Sequence, residues 1–262
     1  IHDMLMAHAY AFSRNAEYGG ACYRFFVPFV LPRYDTVQLL KRMGWQLPFA
    51  CGKATDILLP EKVYRQEDAS LFTPEWRQHF LANSKIQIAS NHDDDIFRIA
   101  VHIRRGDANP CYFKNRYLPN SYYLELIREY TPVNRTVEVT VFSQSQSYEP
   151  WDDFEGYALA LDTPLDSVWE ALMTANVAIL SKSSFSYVPA LLNPNKVVYT
   201  EFWHAPLDHW DVKSPVDNTT TELKELHNDA CKRLGSKKRR FWKRKVAPLI
   251  HTFLLPKNIQ VP

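Results

Sequence analysis

Between residues 96 and 200 the chain alternates short β-rich apolar runs with stretches of helical spacing, and this regularity limits the fold more than anything else in it. Apolar residues at 97, 99, 101 and 103 recur with the period of 2 that a strand requires. Further strands are expected at 137–142, 157–161, 177–180 and 196–200, with helices at 120–130, 164–175 and 185–192 and a helix or loop between 142 and 155. Strands separated in sequence by helices predict an α/β fold with a parallel, doubly wound sheet.

The chain before this region is less regular. Residues 3 to 17 read as a helix that Asp3 can cap, 21–27 as a strand, and 34–43 as a second helix. A third helix is expected from Pro74 to Asn83, with Thr73 as N-cap and proline at the first helical position. The polar run Asn91-His92-Asp93-Asp94-Asp95 marks a boundary. Its carboxylates read as a solvated linker, because metal ligands are usually gathered from separate elements. Residues after Trp203 are irregular, and 219–234 and 239–245 have helical character. The expected organisation is an N-terminal α/β half over 1–95, a Rossmann-like half over 96–205 facing it across a cleft, and a tail over 206–262 that packs back.

Two segments carry chemistry. The first is Val101-His102-Ile103-Arg104-Arg105-Gly106-Asp107, where a strand runs into a polar turn. Ligands of open α/β sheets bind beyond the carboxyl ends of the strands. Two arginines at such an end suit a diphosphate, since the guanidinium fork matches phosphate oxygens. The plainer alternative is a solvated turn in which Asp107 pairs an arginine. The second segment, 177–186, is a short strand that ends in Ser181-Lys182-Ser183-Ser184 and opens a helix. Helix N-termini bind anions, and Ser183, Ser184 and Lys182 could add donors and charge. The plainer alternative is that one serine simply caps the helix.

The string His-x-Arg-Arg-Gly-Asp resembles the signature peptide of the α1,2- and α1,6-fucosyltransferases, the superfamily that also holds the protein O-fucosyltransferases. The serine-rich strand–turn–helix is similar to the turn that contacts the β-phosphate of GDP in that family. The resemblance covers roughly 97–200 and, weakly, 1–27. It implies a GT-B-like fold of two Rossmann-like halves. It also implies a metal-independent, inverting transfer of fucose from GDP-fucose to a glycan hydroxyl, with no cofactor beyond the nucleotide-sugar donor. By position, Arg104 would bind the β-phosphate and His102 the base or nearby phosphate. Arg105 would support, Asp107 would orient the arginines or the loop, and Ser183 and Ser184 would complete the phosphate grip. Asp166 is the candidate for holding the base. Its place in Thr163-Pro164-Leu165-Asp166 equally suits a helix cap. The loop 109–115, with Tyr112 and Lys114, could serve the acceptor. Asp107 beside two arginines should be a weak base. The family begins with a strand and a Gly-x-Gly-Asn-type loop, which is expected to end where Ile1-His2-Asp3-Met4 stands.

Other features bound the alternatives. No apolar run approaches the roughly 18 residues of a transmembrane helix, and the first residues lack a signal-peptide pattern. The expected compartment is the cytoplasm, or a Golgi-type lumen if a targeting segment has been removed. The cysteines Cys22, Cys51, Cys111 and Cys231 are widely spaced and lack a Cys-x-x-Cys pair, which indicates neither a zinc site nor a disulfide framework. Seven positive charges fall within 237–245, more than the whole net charge of +2, so the rest of the chain is net acidic and no nucleic-acid partner is expected. The basic run reads as a solvated face, with contact to an anionic membrane surface as the lesser alternative. The rivals to a fucosyltransferase are a xylosyl- or rhamnosyltransferase on the same scaffold, or a non-catalytic nucleotide- or sugar-binding module of a larger glycan-building protein.

Overall fold

The structure, a computed structural model of the 262-residue chain, describes residues 2–18, 34–45, 47, 69–82, 84–85, 95–109, 116–146, 149–214 and 231. Its centre is a six-stranded, wholly parallel sheet. The strands are β1 (Ile96–His102), β2 (Thr136–Ser143), β3 (Ala158–Leu161), β4 (Val177–Ile179), β5 (Lys196–Thr200) and β6 (Asp211–Lys213). They lie in the order β3-β2-β1-β4-β5-β6. This is the Rossmann order, in which the chain reverses direction across the sheet between β1 and β4. The α/β fold expected from the alternating pattern is therefore present.

Each central strand is buried on both sides, as a sheet covered on both faces requires. Ile99, Val101, Val139, Val141, Val177, Ile179 and Val198 share one apolar cluster. The helix α4 (Asn120–Tyr130) covers that face with Tyr122, Tyr123, Leu126 and Ile127. Ala100, Phe142, Ala178, Val197 and Tyr199 belong to the opposite cluster. There α5 (Leu165–Thr174) contributes Val168, Trp169, Leu172 and Met173, and α6 (Ser184–Ala190) contributes Tyr187, Val188 and Ala190. The carboxyl end of α5 is closed by the buried Asn193, whose amide donates to the carbonyls of Leu172 at 2.7 Å and Ala175 at 3.2 Å. Between β2 and β3 the described residues form only a 3-10 turn, Trp151–Phe154.

The N-terminal helices α1 (His2–Ser13), α2 (Tyr34–Met43) and α3 (Pro74–Leu81) pack on the α5–α6 face. Met4, Leu5, Met6, Leu40, Met43 and Trp76 join the same cluster as Trp169 and Tyr187, and the rings of Trp45 and Trp169 lie 5.6 Å apart. Each large apolar side chain fully buried there stabilises the fold by roughly 1.5–3 kcal/mol. Thr73 caps α3 as expected, its hydroxyl accepting from the Trp76 backbone N–H at 3.1 Å. No strand of the N-terminal region is among the described residues. The expected strand 21–27, the boundary run 91–94 and the tail beyond 214, apart from Cys231, lie outside them.

Two expectations are corrected. β6 falls within the stretch read as irregular, because three residues are too few to show a period. Cys231, the one described cysteine, is disulfide-bonded, although no disulfide framework was indicated. Bridging depends on how closely the fold brings two Cα atoms together, which sequence spacing does not report.

Candidate functional site at the strand switch point

The carboxyl ends of β1 and β4 lie level, with Val101 paired to Ile179. A cleft of about 690 Å³ opens on the β1–β2–β3 side of this point. His102, Arg104, Asp107 and Ser183 line it, together with Gln144 from the end of β2 and Asp162 from the end of β3. Its size lies within the range of small-molecule sites, roughly 300–1,000 Å³.

Arg104 is the centre of the cleft's polar wall. Its Nε and Nη2 donate to Asp107 Oδ1 at 3.2 Å and Oδ2 at 2.7 Å, a two-point pair that fixes the guanidinium plane. Its Nη1 donates to Ser183 Oγ at 3.1 Å, joining the loop after β1 to the turn after β4. Burial pushes the Asp107 carboxyl up, but the hydrogen bond and charge of Arg104 outweigh it, and the net shift is downward. Asp107 is thus a carboxylate that orients Arg104 and a poor acceptor of protons. Gly106 makes this turn feasible. It sits at φ +87°, and a Cβ there would lie 2.5 Å from Gln144 Oε1.

His102 is buried beneath the cleft. Its Nδ1 lies 2.7 Å from Ser181 Oγ, and its ring packs 4.8 Å from that of Phe185. Burial, followed by the charges of Arg104 and Arg105, lowers its pKa to about 3, so the imidazole is neutral. A neutral ring offers one N–H and one lone pair and adds no charge to an anion site.

The two arginines separate. Arg105 has a side chain with 0% exposure, and so has Glu149, whose Oε1 lies 2.6 Å from Arg105 Nε. The Nε–H is not well directed at that oxygen, so the attraction is mainly Coulombic. Arg105 Nη2 donates to Asn120 Oδ1 at 2.6 Å and Nη1 to the Arg104 carbonyl at 3.0 Å. The guanidinium also lies 4.2 Å from the centre of the Tyr117 ring. Arg105 borders the cleft, but its enclosed guanidinium is committed to these partners and ties down the loop rather than facing the opening. The reason is the period of the strand. Ile99, Val101 and Ile103 share the α4 face, and Arg105 continues that series. Ala100 lies on the other face, where His102 and Arg104 meet Phe185 and Ser183.

The remaining expected residues divide likewise. Ser183 is the N-cap of α6, accepting from the Phe185 N–H at 3.3 Å, and also accepts from Arg104, so cap and site are one residue. Ser184 turns to His204, its Oγ 2.7 Å from Nε2. Lys182 is buried outside the cleft lining, and burial lowers its pKa against the opposing charge of Glu201. Asp166 neither caps α5 nor lines the cleft. The cap position is Pro164, without a side-chain bond, and Asp166 accepts from Arg42 Nη1 at 3.1 Å. Helix α6 is only seven residues long and contains Pro189, so Arg104 rather than a helix dipole supplies the positive field. The loop 110–115 lies outside the described residues.

The residues that sequence reading missed are Gln144, Asp162, Thr163 and Leu165, which follow β2 and β3 and line the cleft. Their position at strand carboxyl ends was the available signal. Asp162 adopts a left-handed φ of +54°, and its carboxylate accepts from the Ser145 N–H and hydroxyl.

No family model matches the chain, and no curated protein matches it. Two solved structures of the E. coli heptosyltransferase WaaC are similar. The form with ADP is 19% identical, with 62% of this chain and 48% of the other covered and a TM-score of 0.38. The form with ADP-2-deoxy-2-fluoro heptose is 18% identical, with 72% and 60% covered and a TM-score of 0.38. The matched region spans about half to three fifths of the WaaC chain.

Proposed function

We propose that this chain is a glycosyltransferase that holds the diphosphate of GDP-fucose at the β1/β4 switch point and transfers the sugar to a glycan hydroxyl. The observation that carries the reading is the Arg104 guanidinium, fixed by Asp107 and Ser183 at the mouth of the cleft. The nucleoside would lie along the ends of β2 and β3. Leu165, Val168, Phe142 and Phe185 offer apolar surface there, and Gln144, Asp162 and Thr163 offer polar atoms.

In the transfer, the bond between the anomeric carbon and the β-phosphate oxygen breaks, and its electron pair stays on the departing diphosphate. The acceptor oxygen bonds the anomeric carbon and releases its proton to water. Negative charge grows at the diphosphate as this happens, and a preorganised cation beside it lowers the barrier. Arg104 is that cation in this proposal, and Asp107 keeps it aimed. Inversion at the anomeric carbon, transfer without a metal and the choice of fucose follow from the resemblance of His102–Asp107 and the serine turn to the fucosyltransferase motifs. The GT-B-like pairing with a second half over 1–95 belongs to the same proposal.

Thermal unfolding of the chain with GDP, GDP-fucose, UDP and UDP-sugars tests the reading. Saturation at 100 times Kd should add about 2.7 kcal/mol of stability. GDP and GDP-fucose should raise Tm in the parent and fail to do so in Arg104→Ala. A shift with uridine nucleotides alone would reject GDP-fucose, and a shift that survives Arg104→Ala would reject the site.

A further inference from the structure

On the β4–β5 side of the switch point stands an aromatic residue that the donor cleft does not use. Trp203 follows β5 and is 53% exposed, the most exposed aromatic ring among the described large apolar residues. Isolated exposed apolar residues are ordinary, but Trp203 is held out by specific contacts. The Arg116 guanidinium lies over its ring at 4.0 Å from the centre. Its indole N–H donates to His204 Nε2 at 2.9 Å. His204 is itself fixed, stacked on Tyr187 at 4.4 Å with the His2 ring 4.6 Å away. Arg116 covers one face, the N–H is taken and the Phe202 ring lies 5.1 Å away, tilted by 49°, yet about half of the residue's surface stays open to solvent.

The contacts also place the ring beside the phosphate clamp. His204 Nε2 lies 2.7 Å from Ser184 Oγ, and Ser184 follows Ser183, which binds Arg104. On the other flank, Arg116 acts electrostatically on Asp107, the partner of Arg104. The exposed indole is therefore tied from both sides to the groups that would hold the diphosphate, on the side away from the nucleoside cleft.

We infer that Trp203, steadied by Arg116 and His204, is a stacking platform for a pyranose ring of the carbohydrate acceptor. A pyranose presents a face of C–H groups with partial positive charge, which complements the negative face of an indole. An aromatic ring already fixed in place loses little conformational freedom when a sugar settles on it. The assignment of the ring to the acceptor rests on the donor reading, because that reading puts the nucleoside on the opposite side. The carbohydrate preference of the platform itself does not.

The test is binding of the full chain to an array of neutral oligosaccharides, without donor, for the parent, Trp203→Phe and Trp203→Ala. GDP-induced and GDP-fucose-induced thermal shifts are measured on each. The parent and Trp203→Phe should bind the same oligosaccharides, and Trp203→Ala should bind them about tenfold or more weakly, in line with the loss of an aromatic anchor. The GDP shift should be unchanged in all, which also shows that the variants fold. Equal oligosaccharide binding by Trp203→Ala, or no binding by the parent, would overturn the inference. Loss of the GDP-fucose shift with retained oligosaccharide binding would move the ring to the donor sugar and overturn the acceptor assignment. Oligosaccharide binding through Trp203 in a chain that ignores GDP would reject the donor reading and leave the platform standing.

Discussion

Replacing Glu149 with leucine should strand a guanidinium in the protein interior. Both partners have 0% side-chain exposure, and the variant leaves Arg105 charged with, among the described residues, only the Asn120 side chain and the Arg104 carbonyl as acceptors. Breaking a buried pair from one side costs about 3–5 kcal/mol. The surviving bonds argue for the lower end, and loss of the Glu149 acceptor for the Tyr117 hydroxyl adds about 1 kcal/mol. A loss near 4 kcal/mol is expected, a large share of the roughly 5–15 kcal/mol that holds a typical domain together. Urea unfolding of parent and variant measures it. The matching double variant, Arg105→Met with Glu149→Leu, should recover most of the loss, since neither charge is then buried alone. Glu149 Oε2 has no hydrogen-bond partner among the described residues, so the native pair is imperfectly satisfied and the apolar replacement is favoured further. A single-variant cost below about 1 kcal/mol would refute the enclosed pair. So would a double variant as damaged as the sum of the two single ones.

The buried imidazole makes stability depend on pH. His102 stays neutral down to about pH 3 in the folded chain, whereas the unfolded ring takes up a proton below about 6.5. Its contribution should be intact above pH 6.5 and lost as pH falls toward 3, at up to about 1.4 kcal/mol per pH unit. Urea unfolding across pH 4–7 should show a shallower acid loss in His102→Asn, and equal slopes would refute the assignment. Gly106→Ala forces a side chain into a left-handed position and against Gln144, so about 1–2 kcal/mol of stability should go, seen as a lower urea midpoint. Its GDP-induced thermal shift should shrink as well, because the Arg104 loop moves.

Much of the fold was legible because the sheet is regular. Helices α2 and α4 stand at the bounds expected for them, and the central strands differ by at most one residue at either end. The apolar runs were long enough to carry a period, and Thr73-Pro74 marked the start of α3 with a cap that the structure retains. What escaped was short or non-local. β6 has three residues, and the Cys231 disulfide depends on three-dimensional approach. Asp166 matched a capping pattern by sequence, but Arg42, far back in the chain, decides its partner. Local preference fixes where a helix begins more reliably than it fixes what a charged side chain on it will meet.

The arginine pair shows how much further the same strand pattern reached. Adjacent arginines invite the idea of two forks on one diphosphate, but neighbours on an extended chain point to opposite faces. The backbone N–H of Ile103 still donates to Phe142, so the strand's hydrogen bonding runs one residue past β1 and the alternation continues beyond it. Arg104 is then in phase with His102 and meets the cleft. Arg105 is in phase with Val101 and Ile103, which are fully buried, and its charge requires an interior partner. Glu149 is that partner, some forty residues on, and no local pattern points to it. One arginine thus supplies charge to the cleft while its neighbour fixes the loop through the Arg104 carbonyl. If both were phosphate ligands, Arg105→Met combined with Glu149→Leu should abolish the GDP shift. If the division is right, that double variant folds, keeps Arg104 in place and retains the shift.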